Sequence, residues 1–276
     1  MSTSLTAVQQ IEYDALVKAE YRSRGFKLRP GVYNKENVVG RFVDFRKVDQ
    51  VISVQAAYQQ AVTAQDPGYD KAQATLEKYV TPILIDEVQE LTVNFDSKME
   101  SSMLVADAMG RRSDQIIIDA LDADPGSTIA NGGTNMTYAK YTQIIEFFED
   151  NAVPLGDRFV AMSGNNFRAL LQEQEFTSTF YTANRVLDKG MVREYLGLNV
   201  IIIPDMTEGG LPLAGNIRSA FAWHRQSTGM GVGQNFRTEI NYIPEKTSWL
   251  VNGVFSAGAV VIDNRGVLQV DCDETA

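Results

Sequence analysis

Catalysis near neutral pH most often asks for histidine, and this chain of 276 residues has one, His224. A lone imidazole is not a site, and its position after an apolar run predicts a strand-end residue. The sequence has no GxSxG elbow, HExxH helix, CxxC pair or Walker lysine loop, so the usual hydrolase, zinc and nucleotide signatures are missing. Gly229-Met230-Gly231-Val232-Gly233 comes nearest to a phosphate loop. The dinucleotide fingerprint, however, needs a third glycine three residues after the second and a helix opening there. Here Gln234-Asn235 and a strand pattern follow, and a flexible loop is expected.

Carboxylates gather twice, at Asp86, Glu87 and Glu90 and at Glu146, Glu149 and Asp150. Such pairs act as acid and base in glycoside hydrolysis. The first group equally suits a helix start, where acids complement the macrodipole, and the second a solvated helix face. Trp223 and Trp249 fall in strand patterns and offer no evident sugar platform. Cys272 is alone, which excludes an internal disulfide and a cysteine metal cluster and fits a reducing compartment. Asn135-Met136-Thr137 matches a glycosylation acceptor, without consequence for a chain that is not secreted. Neither cofactor nor metal is implied. Gly110-Arg111-Arg112-Ser113-Asp114 sets two cations and an anion into an otherwise apolar helical side. The segment reads either as a solvated patch with a local ion pair or as an arginine reaching an acidic neighbour, including one on another subunit.

These residues sit on elements that the spacing of apolar side chains predicts. Leu5, Val8, Ile11, Ala15 and Ala19 have helical spacing but a weak core face, giving a partly helical arm. Residues 38–45 alternate as a strand with apolar groups on both faces, so part of their cover is expected from elsewhere. Val51, Ile52 and Val54 read as a strand, Asp66-Pro67-Gly68 as a turn, and Ala74, Leu76, Tyr79 and Val80 as the way back, making a long two-stranded excursion. Its tip, 56–74, is too poor in large apolar groups for a core, and isolated hairpins are marginal in water, so it is expected to lie on a neighbouring molecule.

The strongest periodicity runs over 86–121, with Phe95, Met99, Met103, Ala106, Gly110, Ile117 and Leu121 on one side of a long helix closed by Pro125-Gly126. Thr137 is expected to cap a helix striped by Tyr138, Tyr141, Ile144, Ile145 and Phe148. A buried strand over 157–163 follows, then a short helix capped by Asn165 or Asn166, and another over 192–196. The β-branched run 198–203 predicts a central strand. Strands are then expected over 220–224, 236–243, 248–254, 258–263 and 267–270, with turns at Pro244-Glu245-Lys246 and Asn264-Arg265-Gly266.

Composition bounds the function. The chain is 44% hydrophobic and 22% charged, enough for a real core and too ordered in composition for disorder beyond the ends. No window of about 18 apolar residues and no basic, apolar start suggests a membrane or secretory segment, so a cytoplasmic chain is expected. The net charge of −10 argues against wrapping nucleic acid by phosphate neutralisation and allows only sparse contact with DNA. An acidic surface would also suit a wall facing a packed polyanion.

Taken in order, arm, hairpin, long helix and sheet lobe resemble the major capsid proteins of tailed bacteriophages. The specific echoes are Ala106-Asp107-Ala108-Met109-Gly110-Arg111-Arg112-Ser113-Asp114-Gln115-Ile116-Ile117-Ile118-Asp119-Ala120-Leu121, Arg158-Phe159-Val160-Ala161-Met162-Ser163 and Phe167-Arg168-Ala169-Leu170-Leu171. Val186-Leu187-Asp188-Lys189-Gly190, Leu196-Gly197-Leu198-Asn199-Val200 and Gly258-Ala259-Val260-Val261-Ile262-Asp263 add to them. The resemblance implies an α+β, Hong Kong 97-type major capsid fold. Its parts would be an N-terminal arm (1–37), an E loop (38–84) and a peripheral domain (85–200) with its spine helix (86–122). An axial domain (201–246) and strands returning to the peripheral domain (247–276) would complete it.

It further implies a structural protein, not an enzyme, that builds hexamers and pentamers of an icosahedral virion shell. Axial segments near 207–234 would surround the symmetry axes. Arg41, Arg46, Asp66, Lys71, Lys78, Arg111, Arg112 and Asp114 are the charged candidates for contacts between subunits. Implied partners are other copies, a portal protein, separate scaffold or decoration proteins and weakly touched packaged DNA, with assembly in the host bacterial cytoplasm and no membrane. Crosslinking through Lys71 or Lys78, known in some relatives, has no mark in this sequence. An encapsulin-like compartment shell is the near alternative, and a soluble hydrolase using Asp86, Glu87 or Glu90 the distant one.

Overall fold

A helix of 27 residues, about 40 Å long at 1.5 Å per residue, has the most residues of any element described and organises its neighbours. The computed structural model describes residues 25–48, 51–59, 61, 64, 66–90, 97–173 and 194–276. In chain order the elements are β1 (Tyr33–Lys35), β2 (Phe42–Val48), β3 (Tyr69–Thr75), β4 (Glu77–Asp86), a one-turn helix Glu87–Glu90, α1 (Ser97–Ala123), β5 (Ser127–Ile129), α2 (Tyr138–Asp150), β6 (Arg158–Ser163) and α3 (Gly164–Gln172). There follow β7 (Glu194–Tyr195), β8 (Leu198–Ile203), β9 (Leu213–Ala214), β10 (Ile217–His224), β11 (Thr228–Ile243), β12 (Ser248–Val261) and β13 (Val267–Asp273).

Among the described residues the strands form three sheets. A four-stranded blade has the order β1-β11-β12-β4, a seven-stranded sheet has the order β5-β13-β10-β6-β8-β7 with β9 beside β10, and β2 and β3 pair alone. The architecture is α+β. Helix α1 lies on the blade, where Gly253 leaves room for it. A Cβ there would stand 2.4 Å from Val105 Cγ1 and 2.7 Å from Met109 Cε. Helices α2 and α3 cover the far face of the seven-stranded sheet. Strand β10 therefore alternates between two cores, Phe221 and Trp223 pointing to α1 and the blade, Ala220 and Ala222 to α2.

Local expectations hold where the pattern is local. The Thr137 hydroxyl accepts the Lys140 N–H and caps α2, whose Tyr141, Ile144 and Phe148 are buried. The turn at Pro244 closes the β11–β12 hairpin, with Thr247 in the left-handed region. His224 ends β10, its Nδ1 accepting the Gln226 N–H, and burial lowers its pKa. Cys272 is buried in β13, which pushes its thiol up to about 12.

Other expectations are corrected. Val51, Ile52 and Val54 are not in a strand, and the hairpin ladder joins β2 to β3 instead. Its base is not without a core, because Val43, Phe45, Ala74 and Leu76 bury against the subunit's own blade. The Gly229–Gly233 stretch is a buried part of β11, not a loop. A Cβ at Gly231 would stand 2.4 Å from Val43 Cγ2, and one at Gly229 2.6 Å from Phe45, so the missing side chains make room for the hairpin. The strand expected at 236–243 extends back to Thr228 as β11, and those expected at 248–254 and 258–263 fuse into β12, which ends at Val261.

Ser163 caps α3, in place of Asn165 or Asn166. Strand β8 lies next to the short edge strand β7 and is not central, and residues 194–195 are that edge strand, not helix. On α1, Gly110, Ile117 and Leu121 are buried as expected, but Met99 and Met103 are 57% and 42% exposed because burial starts only at Val105. Phe95, the arm through residue 24 and 186–190 lie outside the described residues. The expected boundary at 200/201 cuts β8, and that at 246/247 falls between paired strands. The chain passes between the blade with α1 and the seven-stranded sheet near 124–126, 225–227 and 262–266.

Candidate assembly interface

The charged residues singled out above fall into two groups. Arg111, Arg112 and Asp114 surround the root of the N-terminal segment. Asp114, expected at a subunit contact, is turned inward and only 3% exposed. Its Oδ2 accepts the Lys27 N–H at 3.1 Å and its Oδ1 the Leu28 N–H at 3.0 Å. Two consecutive backbone donors occupy it, so it serves as a clamp within the subunit. Burial holds the Asp114 carboxyl above its ordinary range despite these bonds.

Around the clamp, Phe26 takes a positive φ of 62° and donates its N–H to the Gly110 carbonyl, while Gly25 lies so close that a Cβ would stand 1.9 Å from Gly110 C. Leu28 and Val32 are fully buried, and the Trp223 indole donates to the Gly31 carbonyl at 2.7 Å. Arg112 lies 4.6 Å from the Tyr79 ring centroid, a cation–π contact on the blade. Arg111 is half-buried beneath Gly209.

The second group lies on the hairpin. Arg46 stands directly opposite Lys71 across β2 and β3. The Lys71 Nζ is 3.3 Å from Asp44 Oδ2, and Gln73 Nε2 donates to Asp44 Oδ1 at 2.8 Å. Those two hydrogen bonds hold the Asp44 carboxyl below its usual range. Arg41, at the foot of β2, lies 5.8 Å from the Phe42 ring, and its carbonyl accepts the Leu76 N–H. Lys78 opens β4 opposite Ser256, and Asp66 is exposed just before β3. Beyond the ladder the hairpin is apolar and bare, with Val51 57%, Ile52 77%, Val54 74% and Tyr58 104% exposed.

Three of the carboxylates singled out in the sequence have partners of their own. Asp86 Oδ1 accepts the Val88 N–H, Glu87 Oε2 accepts the Tyr242 hydroxyl, and Glu149 binds buried Arg158 at 2.8 Å. The residues that sequence reasoning missed are those whose partners are backbone, the Asp114 clamp and the Trp223 hook, and the glycines that seat the hairpin. Only the helical phase of Asp114, one turn after Gly110 on a side that is otherwise apolar, could have pointed to the clamp.

A long helix on a four-stranded blade, an extended hairpin and a second mixed lobe make an α+β fold that solved structures share. The capsid of cyanophage Pam1 aligns with TM-score 0.71 at 11% identity, covering 92% of this chain and 93% of that one. The head of Helicobacter pylori bacteriophage KHP40 aligns with TM-score 0.71 at 11% identity, covering 87% and 88%. Mycobacterium phage Che8 aligns with TM-score 0.66 at 15% identity, covering 86% of each chain.

At these identities the likeness concerns the fold, and no curated protein matches in sequence. The family is shown by residues 5–274, which match the phage capsid protein profile. The chain belongs to the phage capsid protein family, whose members are structural. That match does not favour the compartment alternative.

Proposed function

We propose that this chain is the major capsid protein of a tailed bacteriophage, self-assembling into hexamers and pentamers of an icosahedral shell around a double-stranded DNA genome. One observation carries the reading: family membership across 5–274 coincides with a hairpin whose apolar end is exposed among the described residues. Exposed apolar groups of this extent mark an interaction surface. A heterologous contact repeated by rotation closes a ring, and rings sharing further contacts close a shell.

On this reading the blade with α1 is the peripheral domain, β2, β3 and the segment between them the E loop, and the seven-stranded lobe the axial domain. Arg41, Asp66, Lys78, Arg111 and Arg112 are candidates for contacts between copies. A portal protein and separate scaffold or decoration proteins are further partners. A subunit of net charge −10 meets packaged DNA weakly. Assembly takes place in the host bacterial cytoplasm. Negative-stain microscopy of the purified chain, alone and with its neighbouring gene products, is expected to show closed shells of uniform size. Protein that stays monomeric at high concentration under every condition overturns the reading.

A further inference from the structure

Asparagine is followed by glycine at two places in the chain, Asn131-Gly132 and Asn252-Gly253, and the fold treats them differently. Such a pair is open to a reaction of its own. The glycine nitrogen, uncrowded by a Cβ, can attack the asparagine carboxamide once it has lost its proton. A peptide N–H gives up that proton more readily when donors on the carbonyl oxygen of the same peptide group stabilise the negative charge that forms.

The Asn131–Gly132 peptide is held in this way. Its carbonyl oxygen accepts the Lys140 ammonium at 2.8 Å, the Thr134 N–H at 3.0 Å and the Thr134 hydroxyl at 3.1 Å. A carbonyl has two lone pairs, and three donors converge on this one. Lys140 is only 6% exposed, and its charge acts there with little screening by water. Gly132 and Gly133 take φ of 57° and 68° in the turn that the Thr134 N–H closes. Both are exposed, so water and base reach the Gly132 nitrogen. Neither that N–H nor the Asn131 carboxamide makes a hydrogen bond among the described residues. Asn252 and Gly253, by contrast, lie inside β12 with a strand paired on either side, and Gly253 sits under Val105 and Met109 of α1.

We propose that Asn131 is a self-modification site, converted to aspartate or isoaspartate through a cyclic imide whose formation Lys140 and Thr134 promote. The Gly132 N–H gives its proton to solvent hydroxide, and the nitrogen bonds to Asn131 Cγ. The tetrahedral carbon expels Nδ2, which takes a proton from water and leaves as ammonia. Water then adds to one of the two imide carbonyls and breaks its bond to the Gly132 nitrogen. Opening at Cγ gives aspartate, and opening at the main-chain carbonyl gives isoaspartate. One amide and one water become one carboxylate and one ammonium, with no change of oxidation state. The new carboxylate arises beside Lys140, whose Nζ otherwise bonds to three carbonyl oxygens. The reaction needs no second copy, so it stands whether or not the chain builds shells.

The test follows both asparagines in the full chain by peptide mass spectrometry, with hydroxylamine cleavage to reveal the imide and enzymatic methylation to reveal isoaspartate. Asn131 is expected to convert about tenfold faster in the folded chain than in urea, because only the fold supplies the donors. Asn252 is expected to convert more slowly folded than unfolded. Lys140→Met is expected to lower the folded rate at Asn131 about tenfold with circular dichroism unchanged. Should that variant fold poorly, Thr134→Val, which removes only an exposed hydroxyl, is read in its place and is expected to lower the rate about threefold. An Asn131 that stays intact, that converts no faster folded than unfolded, or that keeps its rate in a folded variant overturns the proposal. Equal conversion of Asn131 and Asn252 in the folded chain overturns it as well.

Discussion

The seven-stranded lobe and the hairpin end treat their surfaces in opposite ways. The first lobe is finished from within. Lys140 is only 6% exposed, and its Nζ donates to the carbonyls of Asn131, Thr134 and Asp271 at 2.8, 2.8 and 2.9 Å. Arg158 binds Glu149 and the carbonyls of Pro154 and Val153, and Arg218 binds Asp205 and Glu274. Each of these buried cations has carboxylate or carbonyl oxygens beside it, as burial of charge requires. Exposed apolar side chains occur on both lobes, Leu155 72% and Leu213 50% on the first and Val80 51% and Leu84 48% on the blade, but only the hairpin end gathers them in one run, from Val51 57% through Ile52 77% and Val54 74% to Tyr58 104%. The two lobes share a core through α1, and the difference lies at the hairpin end, whose apolar side chains are exposed among the described residues.

The largest effect is expected from hollowing the core that the two lobes share. Trp223 is fully buried, stacks on Phe159 at 5.9 Å and holds Gly31. Trp223→Ala is expected to cost about 3–5 kcal/mol, seen as a lower urea midpoint of the unassembled subunit. Asp114→Ala comes next. It leaves the Lys27 and Leu28 N–H groups unpartnered and is expected to cost roughly 2–3 kcal/mol, with faster hydrogen exchange at those two amides. If exchange there is unchanged, the clamp is not what holds the N-terminal root.

Gly231→Val drives a side chain into Val43 and tests whether the hairpin base belongs to the stable part of the subunit. Overpacking of about 1–3 kcal/mol is expected, with β2 and β3 losing exchange protection before the seven-stranded lobe. Simultaneous loss in both would mean that the two regions unfold as one.

Much of this division was legible in the residues and some was not, for a physical reason. Thr137 and the stripe after it, the β-branched run 198–203 and the long helix are written in spacing, because caps and periodicity act within a few residues. The role of Gly229 and Gly231 is not, because what demands glycine there is the ring of Phe45 and the methyls of Val43, brought in from far along the chain. Asp114 was read as a surface ion for a related reason. Its partners are backbone N–H groups, which every residue carries and no sequence advertises. The cationic rung was visible as residues, yet that Arg46 faces Lys71 depends on hairpin register, which the unmarked segment between the strands does not specify.

A smaller effect separates the regions by pH. Asp263 joins the end of the blade to the hairpin through Lys47 at 3.2 Å and binds Arg265 at 2.7 Å. The Arg265 hydrogen bond first, then Lys47, hold its carboxyl down to about 2 from an ordinary 3.8. The unfolded chain therefore binds the proton more readily between those values. The stability that Asp263 contributes is present above about pH 4 and lost as pH falls through about 2. Because the carboxylate is partly open to solvent, the contribution is expected below about 1 kcal/mol. Asp263→Asn should remove that part of the acid-side decline in subunit stability, and an unaltered profile would assign the decline to other carboxylates.

The last prediction expects almost nothing in one measurement and a large effect in another. Val51, Ile52 and Val54 have little to lose on unfolding, because they are already more than half exposed when folded. Val51→Ser/Ile52→Ser/Val54→Ser should therefore move subunit stability by no more than about 0.5 kcal/mol. If these side chains are covered only by a neighbour, the same variant must lose shells, because each apolar group buried between copies contributes on the order of 1 kcal/mol and recurs at every equivalent contact. Melting of the unassembled subunit and shell yield, taken on one preparation, separate the two. A fall in both would place this segment on its own subunit and erase the contrast between hairpin and lobe. A fall in yield alone means that the hairpin's missing cover is another copy of the chain.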